Sequence, residues 1–404
     1  MAGVVNFVTH DPGDFLKAAD GSSKTIGGRI ASGWSEEDHS TTLTGTVAAQ
    51  ASERVQWMLT ASGRKGHAMQ TMGESGAANN HRTKADPLDT EDRAVLGKLV
   101  WKPDGLQRHT FTVEHSQKRL DINLLSSRGP DERNVNDVKD EYANSTIERN
   151  RFAWDGRFGL HTAVADHLRA IVSVQHATSE RIGHSWMGKI ANPALPLEYR
   201  IRDNQYEETT WQLGLQADKV LRRQGWSSRF VYGVDYVRNS ISNLYTGQAP
   251  LPPEAFPLKR FPDTHEISAG LYAQNETVVG NWTITPGLRI DYFRIDVQNQ
   301  DLYFPPAPQP AKDMSGSAFL PKLGLLYRAT PEWSVFGQYA TGYRAPETGQ
   351  VNDRFQAKVG VTNNIIIANP DLKPERSRGI ELGLRGRMER LSLDMVEVAL
   401  VADF

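Results

Sequence analysis

The sequence predicts an all-β, antiparallel transmembrane β-barrel, and three observations carry that prediction. Apolar and polar residues alternate with period two along nearly the whole chain, a pattern that builds strands, and no segment shows helical periodicity. The polar face of each alternating segment carries Arg, Lys, Asp, Glu and Gln, while the apolar face is rich in Trp and Tyr near strand ends. A face so charged must meet water, and aromatic girdles mark the two edges of a lipid-facing band. From residue 64 onward short and long connections alternate, as they do when tight turns lie at one end of the strands and long loops at the other.

Composition narrows the class. The 404 residues include 34 Gly, 21 Pro and no Cys, 39% are hydrophobic, and the formal net charge is −2. A balanced charge gives no global field for nucleic acid or an anionic surface. The missing cysteines remove disulfides and thiolate metal sites. No apolar run approaches the ~18 residues of a membrane helix. The opening stretch MAGVVNFVTHDPGD lacks a basic start and its apolar run is broken by Asn6, so it does not read as a signal peptide.

The strands follow in order. Val55, Trp57, Leu59 and Ala61 oppose Arg54, Gln56 and Thr60; Phe152, Trp154 and Phe158 oppose Arg149, Arg151, Asp155 and Arg157. Leu168, Ala170, Val172 and Val174 oppose His167, Arg169, Ser173 and Gln175. Trp211, Leu213, Leu215 and Ala217 oppose Gln212, Gly214, Gln216 and Asp218; Trp226, Phe230, Tyr232, Val234 and Tyr236 oppose Ser227, Arg229, Gly233 and Asp235. In the segment from Trp282 to Tyr292, Trp282, Ile284, Leu288 and Ile290 are expected to face lipid, and Arg289 and Asp291 the lumen. The same alternation turns Leu382 and Leu384 outward and Glu381 and Arg385 inward. About 14 or 15 such strands are present, each near the ~9–11 residues that a tilted membrane strand needs. Pro286 interrupts the cleanest of them, so a bulge or a bend is expected there, because proline cannot donate to the ladder.

The connections divide by length. Residues 101–108, 221–226, 278–282, 328–333 and 386–390 read as tight turns, and residues 64–91, 119–144, 177–205, 240–264, 296–317 and 343–376 as long loops. Structureless loops beyond ~15 residues are uncommon in compact domains, but they are normal on the outer side of a membrane barrel. No blade-length repeat of ~40–50 residues argues for a propeller.

Two motifs carry a resemblance. GYRAPE (342–347) and NPDLKPERS (369–377) resemble the paired FRAP and NPNL boxes of TonB-dependent outer-membrane receptors of the haem and haemoglobin class. One box ends an upward strand and the other begins the next downward strand, with a long loop between. GVVNFVTHDPGDFL (3–16) is similar to the last strand of that family's plug and its link to the barrel. FPDTHE (261–266), AGLYAQNE (269–276), PGLRIDYF (286–293) and residues 319–347 are similar to its middle-barrel strands.

The resemblance implies residues 1–22 as the end of the plug and its link, residues 23–404 as part of a barrel of 22 strands, and no enzymatic activity. It implies haem as the transported ligand, with no prosthetic group. The implied partners are a haem-carrying protein, outer-membrane lipid and, for the intact receptor, the TonB complex, whose docking box this chain lacks. The compartment implied is the outer membrane of a Gram-negative bacterium. The first alternative is a receptor for a siderophore or another metal chelate. The second is a truncated, non-transporting remnant, suggested by the pattern lost after Met395 and by the missing plug. The strand near Lys24–Trp34 is then expected to leave an open trough, or to close poorly against the segment near Leu391–Phe404.

The candidate ligand-binding residues are Tyr343, Arg344, Ala345, Pro346, Asn369, Pro370, Asp371 and Leu372, which frame the loop and equally serve as its architecture. In the family a His between the boxes ligates haem, but residues 347–368 contain none. Haem iron accepts His, Met, Tyr or Cys, so the candidates move to other loops. They are His67, with Met69 and Met72 beside it, His81 and His184. An exposed histidine without a ligand is the plain alternative for each. No nucleophile elbow, phosphate loop, dinucleotide fingerprint or HExxH occurs; GESG at 73–76 has the wrong spacing and context. The acidic stretch 129–141 lacks EF-hand spacing and reads as a solvated loop.

Overall fold

A computed structural model describes residues 8–18, 20–131, 134–303, 310–359, 362–388, 393–395 and 400–403. A short helix α1 (Pro12–Phe15) precedes β1 (Ile26–Ser35), β2 (Ser40–Ser52), β3 (Val55–His67), β4 (Leu88–Trp101) and β5 (Gln107–Asn123). The short β6 (Gly129–Pro130) is followed by β7 (Asn136–Gly159), β8 (His167–Lys189), β9 (Glu198–Arg223) and β10 (Trp226–Gln248). Next come β11 (Asp263–Val279), β12 (Trp282–Asn299), β13 (Met314–Arg328), β14 (Trp333–Arg344) and α2 (Thr348–Val351). A hairpin of β15 (Phe355–Val359) and β16 (Thr362–Ile366) forms its own small sheet before β17 (Glu375–Met388), β18 (Leu393–Met395) and β19 (Leu400–Asp403).

The long strands pair antiparallel in chain order, each with its sequence neighbour, into one large sheet. The fold class read from the sequence therefore holds. Among the described residues β1 pairs with β2 alone, and β17 carries β18 and β19 on its far edge. No pairing among the described residues joins β1 to β17, β18 or β19.

The two faces are as the alternation requires. Trp282, Leu288, Ile290, Leu382 and Leu384 are exposed on the outer face, and Ile284 is half-buried on it. On the other face Arg289 bridges Asp235 at 2.7 Å and Asp291 at 2.6 Å. Glu381 and Arg385 line one cavity with Gln274, Lys322 and Gln338. Exposed apolar side chains over a whole sheet are what a lipid-facing surface presents when lipid is left out.

Two expectations need correction. Pro286 introduces no bulge. It pairs in register with Leu323 of β13, and β12 keeps the same register with β11 on either side of it. The β11 ladder simply skips Pro286 and Thr285, because the missing N–H lies on that edge. The long loops are also shorter than their sequence suggested. β7, β8, β9 and β10 run for 24, 23, 26 and 23 residues, so most of 177–205 and much of 119–144 and 240–264 is strand. A span takes ~9–11 residues, leaving the rest to project beyond the lipid at ~3.3 Å per residue. The outward-facing Glu180, Thr178 and polar neighbours end the apolar band there, so the alternation fades and the segment reads as loop.

Little of the molecule is a conventional core. The clearest apolar cluster is Leu16, Ala48 and Met58, with Phe15 and Leu96 against it, where α1 lies on the inner face of β2–β4. Lys98 anchors the same segment, with Nζ donating to Thr9 Oγ1 at 2.9 Å, to the His10 carbonyl at 2.7 Å and to Asp11 Oδ1 at 3.2 Å. Arg108 holds the other Asp11 oxygen at 2.6 Å.

Candidate functional site at the outer mouth

The loop end of the sheet gathers its polar residues on the inner face of β7–β11. Register places Glu141, Ser185 and Arg200 in one cross-strand row, and Ala143, Gly183 and Arg202 in the next. These rows, with Arg181, Glu254 and Phe355, line a cavity of about 390 Å³. Arg202 gives an Nη2 hydrogen bond to Glu254 at 2.7 Å and lies against the rings of Tyr245 and Phe355. Arg200 donates Nε to the Ala249 carbonyl at 2.7 Å and makes no ion pair among the described residues. Burial lowers its pKa, with the nearby glutamates opposing that trend. Arg181, exposed at the cavity, likewise has no ion pair among the described residues. A guanidinium stays charged in proteins, and its fork matches the two oxygens of a carboxylate.

Three loops close over this mouth. Arg260 holds Asp353 through Nε at 2.9 Å, and its carbonyl accepts the Arg354 N–H at 2.8 Å. Arg354 Nε donates to Tyr303 Oη at 3.0 Å, and Tyr303 donates to the Asn352 carbonyl at 2.8 Å. The Asn352 amide accepts from the Lys312 N–H and donates to the Lys312 carbonyl, each at 3.1 Å. Val351 and Asn352 are fully buried here. The first part of the segment between the two boxes is therefore fixed in a loop knot.

The box residues lie at the end of β14 and in the turn before β17. Tyr343 and Arg344 end β14 and pair with Arg376 and Glu375 of β17. Ala345 and the buried Pro346 lead into α2. Asn369, Pro370, Asp371 and Leu372 form a turn closed by the Leu372 N–H on the Asn369 carbonyl at 3.2 Å. Tyr343 lies near Phe293 and under the Arg376 guanidinium.

The candidate histidines are not brought together. His67 ends β3, with Nδ1 on Asp89 at 2.7 Å, and His81 is exposed in the loop after it. His184 is on β8 rather than in a loop. Its ring stacks on Tyr142 with centroids 4.6 Å apart, and its Nδ1 meets the Tyr199 hydroxyl at 2.6 Å. By register that ring shares a face with Tyr142 and Ile201, opposite Arg181, Arg200 and Arg202. No group of three His, Asp or Glu is placed to hold a metal ion among the described residues. Sequence reasoning missed Arg200, Arg202 and the Arg260–Asp353 pair. Arg200, Arg202 and Asn204 do alternate with Tyr199, Ile201 and Asp203, a strand signal inside what was read as loop.

An antiparallel sheet with an apolar outer face, a charged inner face, tight turns at one end and a knotted loop mouth at the other defines an outer-membrane receptor barrel. The chain belongs to the TonB dependent receptor-like, beta-barrel family, whose profile matches residues 100–399. It is 41% identical over 69 residues to the iron-regulated outer membrane virulence protein of Vibrio cholerae serotype O1, a stretch covering 17% of this chain and 10% of that protein. In fold it is similar to the hemophore receptor HasR of Serratia marcescens, solved with its hemophore HasA and heme. That match has 17% identity and a TM-score of 0.63, covering 98% of this chain and 55% of HasR. The FrpB iron transporter of Neisseria meningitidis gives 18% identity and a TM-score of 0.58 over 94% of this chain and 54% of FrpB. The chain spans about half the length of the solved structures it matches.

Proposed function

We propose that this chain supplies barrel strands and outer loops of a Gram-negative outer-membrane receptor for TonB-dependent uptake of haem, taken free or from a haem-carrying protein such as haemoglobin. The arginine-lined cavity is the observation that carries the reading. Haem is a flat ring with two carboxylates, and Arg200 and Arg181 offer guanidinium groups that have no ion-pair partner among the described residues, in a cavity that Phe355 also lines. Arginine suits carboxylate recognition because its fork binds both oxygens. Residues 1–22 serve as the end of the plug and its link, and residues 23–404 as barrel. The clamp of Lys98 and Arg108 on Asp11 supports that division. The paired boxes frame the loop that meets the ligand. Among the candidate axial ligands His81, in the β3–β4 loop, fits best, since strand alternation sets the rings of His67 and His184 on the outer face. In the receptor that contains this chain, the TonB complex drives release.

The same cavity suits other carboxylate-bearing iron chelates, which is the second reading. The test is growth of a haem-requiring strain lacking its own receptor, supplied with the receptor that contains this chain. Haem-dependent growth that needs TonB is the expected result. Growth on ferric siderophores alone would replace haem with the chelate reading. Arg200→Ala should weaken ligand binding by about tenfold, in line with loss of one charge-assisted hydrogen bond.

A further inference from the structure

A second cavity lies farther down the inner face of β9, and its charge is opposite. The inner-face residues of β9 run Arg200, Arg202, Asn204, Tyr206 and Glu208, passing from cationic to anionic. Register sets Glu208 beside Ile241 and Thr264, and Thr210 beside Asn239 and Glu266. The loop knot brings Glu347 and Thr348 over them, enclosing about 340 Å³. None of the described residues lining this space is Lys, Arg or His.

Glu208 accepts hydroxyl hydrogen bonds from Tyr206 at 3.0 Å and Thr210 at 3.1 Å, and Glu266 accepts the Thr348 N–H at 2.6 Å. Neither carboxylate has an ion pair among the described residues; the third, Glu347, has Arg344 at 3.6 Å. Thr348 is 1% exposed, and its Oγ1, beside the Glu266 carboxylate, makes no hydrogen bond of normal geometry among the described residues. The buried Asn239 Oδ1 is also without one. Buried oxygens and unpaired carboxylates in one space call for a donor that carries positive charge.

We propose that this cavity is a binding site for an organic ammonium group. The geometry favours an ammonium over a bare metal ion on three counts. No three acidic side chains converge to metal-holding positions among the described residues. The volume exceeds what one ion fills, whereas an alkylammonium occupies it. Tyr206 and Phe261, packed edge to face at 6.5 Å, wall the cavity with rings whose faces attract a desolvated cation. An ammonium offers three protons, and the acceptors lining the cavity are the Glu208 and Glu266 carboxylates, Asn239 Oδ1 and Thr348 Oγ1. The site is independent of the arginine cavity and of which iron compound the receptor carries. An amine-bearing ligand and a lysine of a docked carrier share this chemistry.

The test uses calorimetry on the detergent-solubilised receptor that contains this chain. The probes are n-pentylammonium, its neutral isostere n-pentanol, the peptide Gly-Lys-Gly and calcium alone. Pentylammonium should bind more tightly than pentanol, and Glu208→Gln and Glu266→Gln should each weaken it by about tenfold. Glu332→Gln, in the exposed β13–β14 turn, should leave it unchanged. In the unmodified receptor the affinity should fall on acidification as the carboxylates protonate, a readout that needs no variant. Stronger binding of pentylammonium than of the peptide assigns the site to a small amine, and the reverse order to a lysine side chain. Equal binding of pentanol, affinity indifferent to both glutamate variants and to pH, or displacement of the amine by calcium would overturn the proposal.

Discussion

The inner face of the sheet is built differently at its two ends. Over β2–β4 it is apolar where α1 lies on it. Met58 and Ala48 take inward positions that the alternation reserves for polar residues, and Leu16 covers them. Over β7–β11 the same face is charged, β7–β10 each run to more than twenty residues, and loops rather than a helix close over it. The outer faces of the two regions are alike, because both meet lipid. The difference shows that lumenal chemistry follows what covers the lumen. Where chain packs on the wall, the wall becomes core; where water or a ligand occupies the space, the wall stays polar and its charges pair across strands.

Substitutions that exchange these roles sharpen the contrast. The largest effect is expected from Leu382→Arg on the shared outer face. It should cost about 2–4 kcal/mol in denaturant unfolding from lipid vesicles if placed near the midplane, whereas Arg385→Leu on the inner face should cost far less. Equal costs would mean that the faces are assigned wrongly. Next is Lys98→Ala. It removes the buried ammonium that satisfies Thr9, His10 and Asp11, and should lower the tethering of residues 8–18 by about 2–3 kcal/mol. Limited proteolysis in that segment reads the release, and continued protection would count against the clamp.

A smaller effect is expected at the mouth. Asp353→Asn leaves Arg260 with weaker partners and should destabilise the loop knot by about 1 kcal/mol, seen as faster amide exchange across 347–355 with the barrel strands unaffected. The smallest is a pH effect on α1. Burial alone would raise the Asp11 pKa, but the hydrogen bond from Arg108 and the charges of Lys98 and Arg108 outweigh it and hold the carboxyl below its usual range. A depressed folded pKa means the stabilisation is full above the ordinary carboxylate pKa and is lost as pH falls through the lowered value. Proteolysis of residues 8–18 should therefore stay flat near neutrality and rise only in acid.

Period-two alternation was enough to determine the strands, their outward and inward faces and the order of tight turns and long connections, because each is a local consequence of which residues tolerate lipid. The paired boxes at 342–347 and 369–377 were legible through their resemblance to family motifs, with Asn369-Pro370 also reading as a turn. Tertiary structure alone decided the rest. Strands that leave the membrane lose the apolar half of their signal, so the outer ends of β7–β10 read as loops until cross-strand pairing fixed their register. His184 read as a loop ligand until that register set its ring against Tyr142, on the face opposite the arginines. The arginine cavity, the glutamate cavity and the Arg260–Asp353 knot each join residues far apart in the chain, and no local pattern encodes a contact made only when neighbouring strands and loops converge.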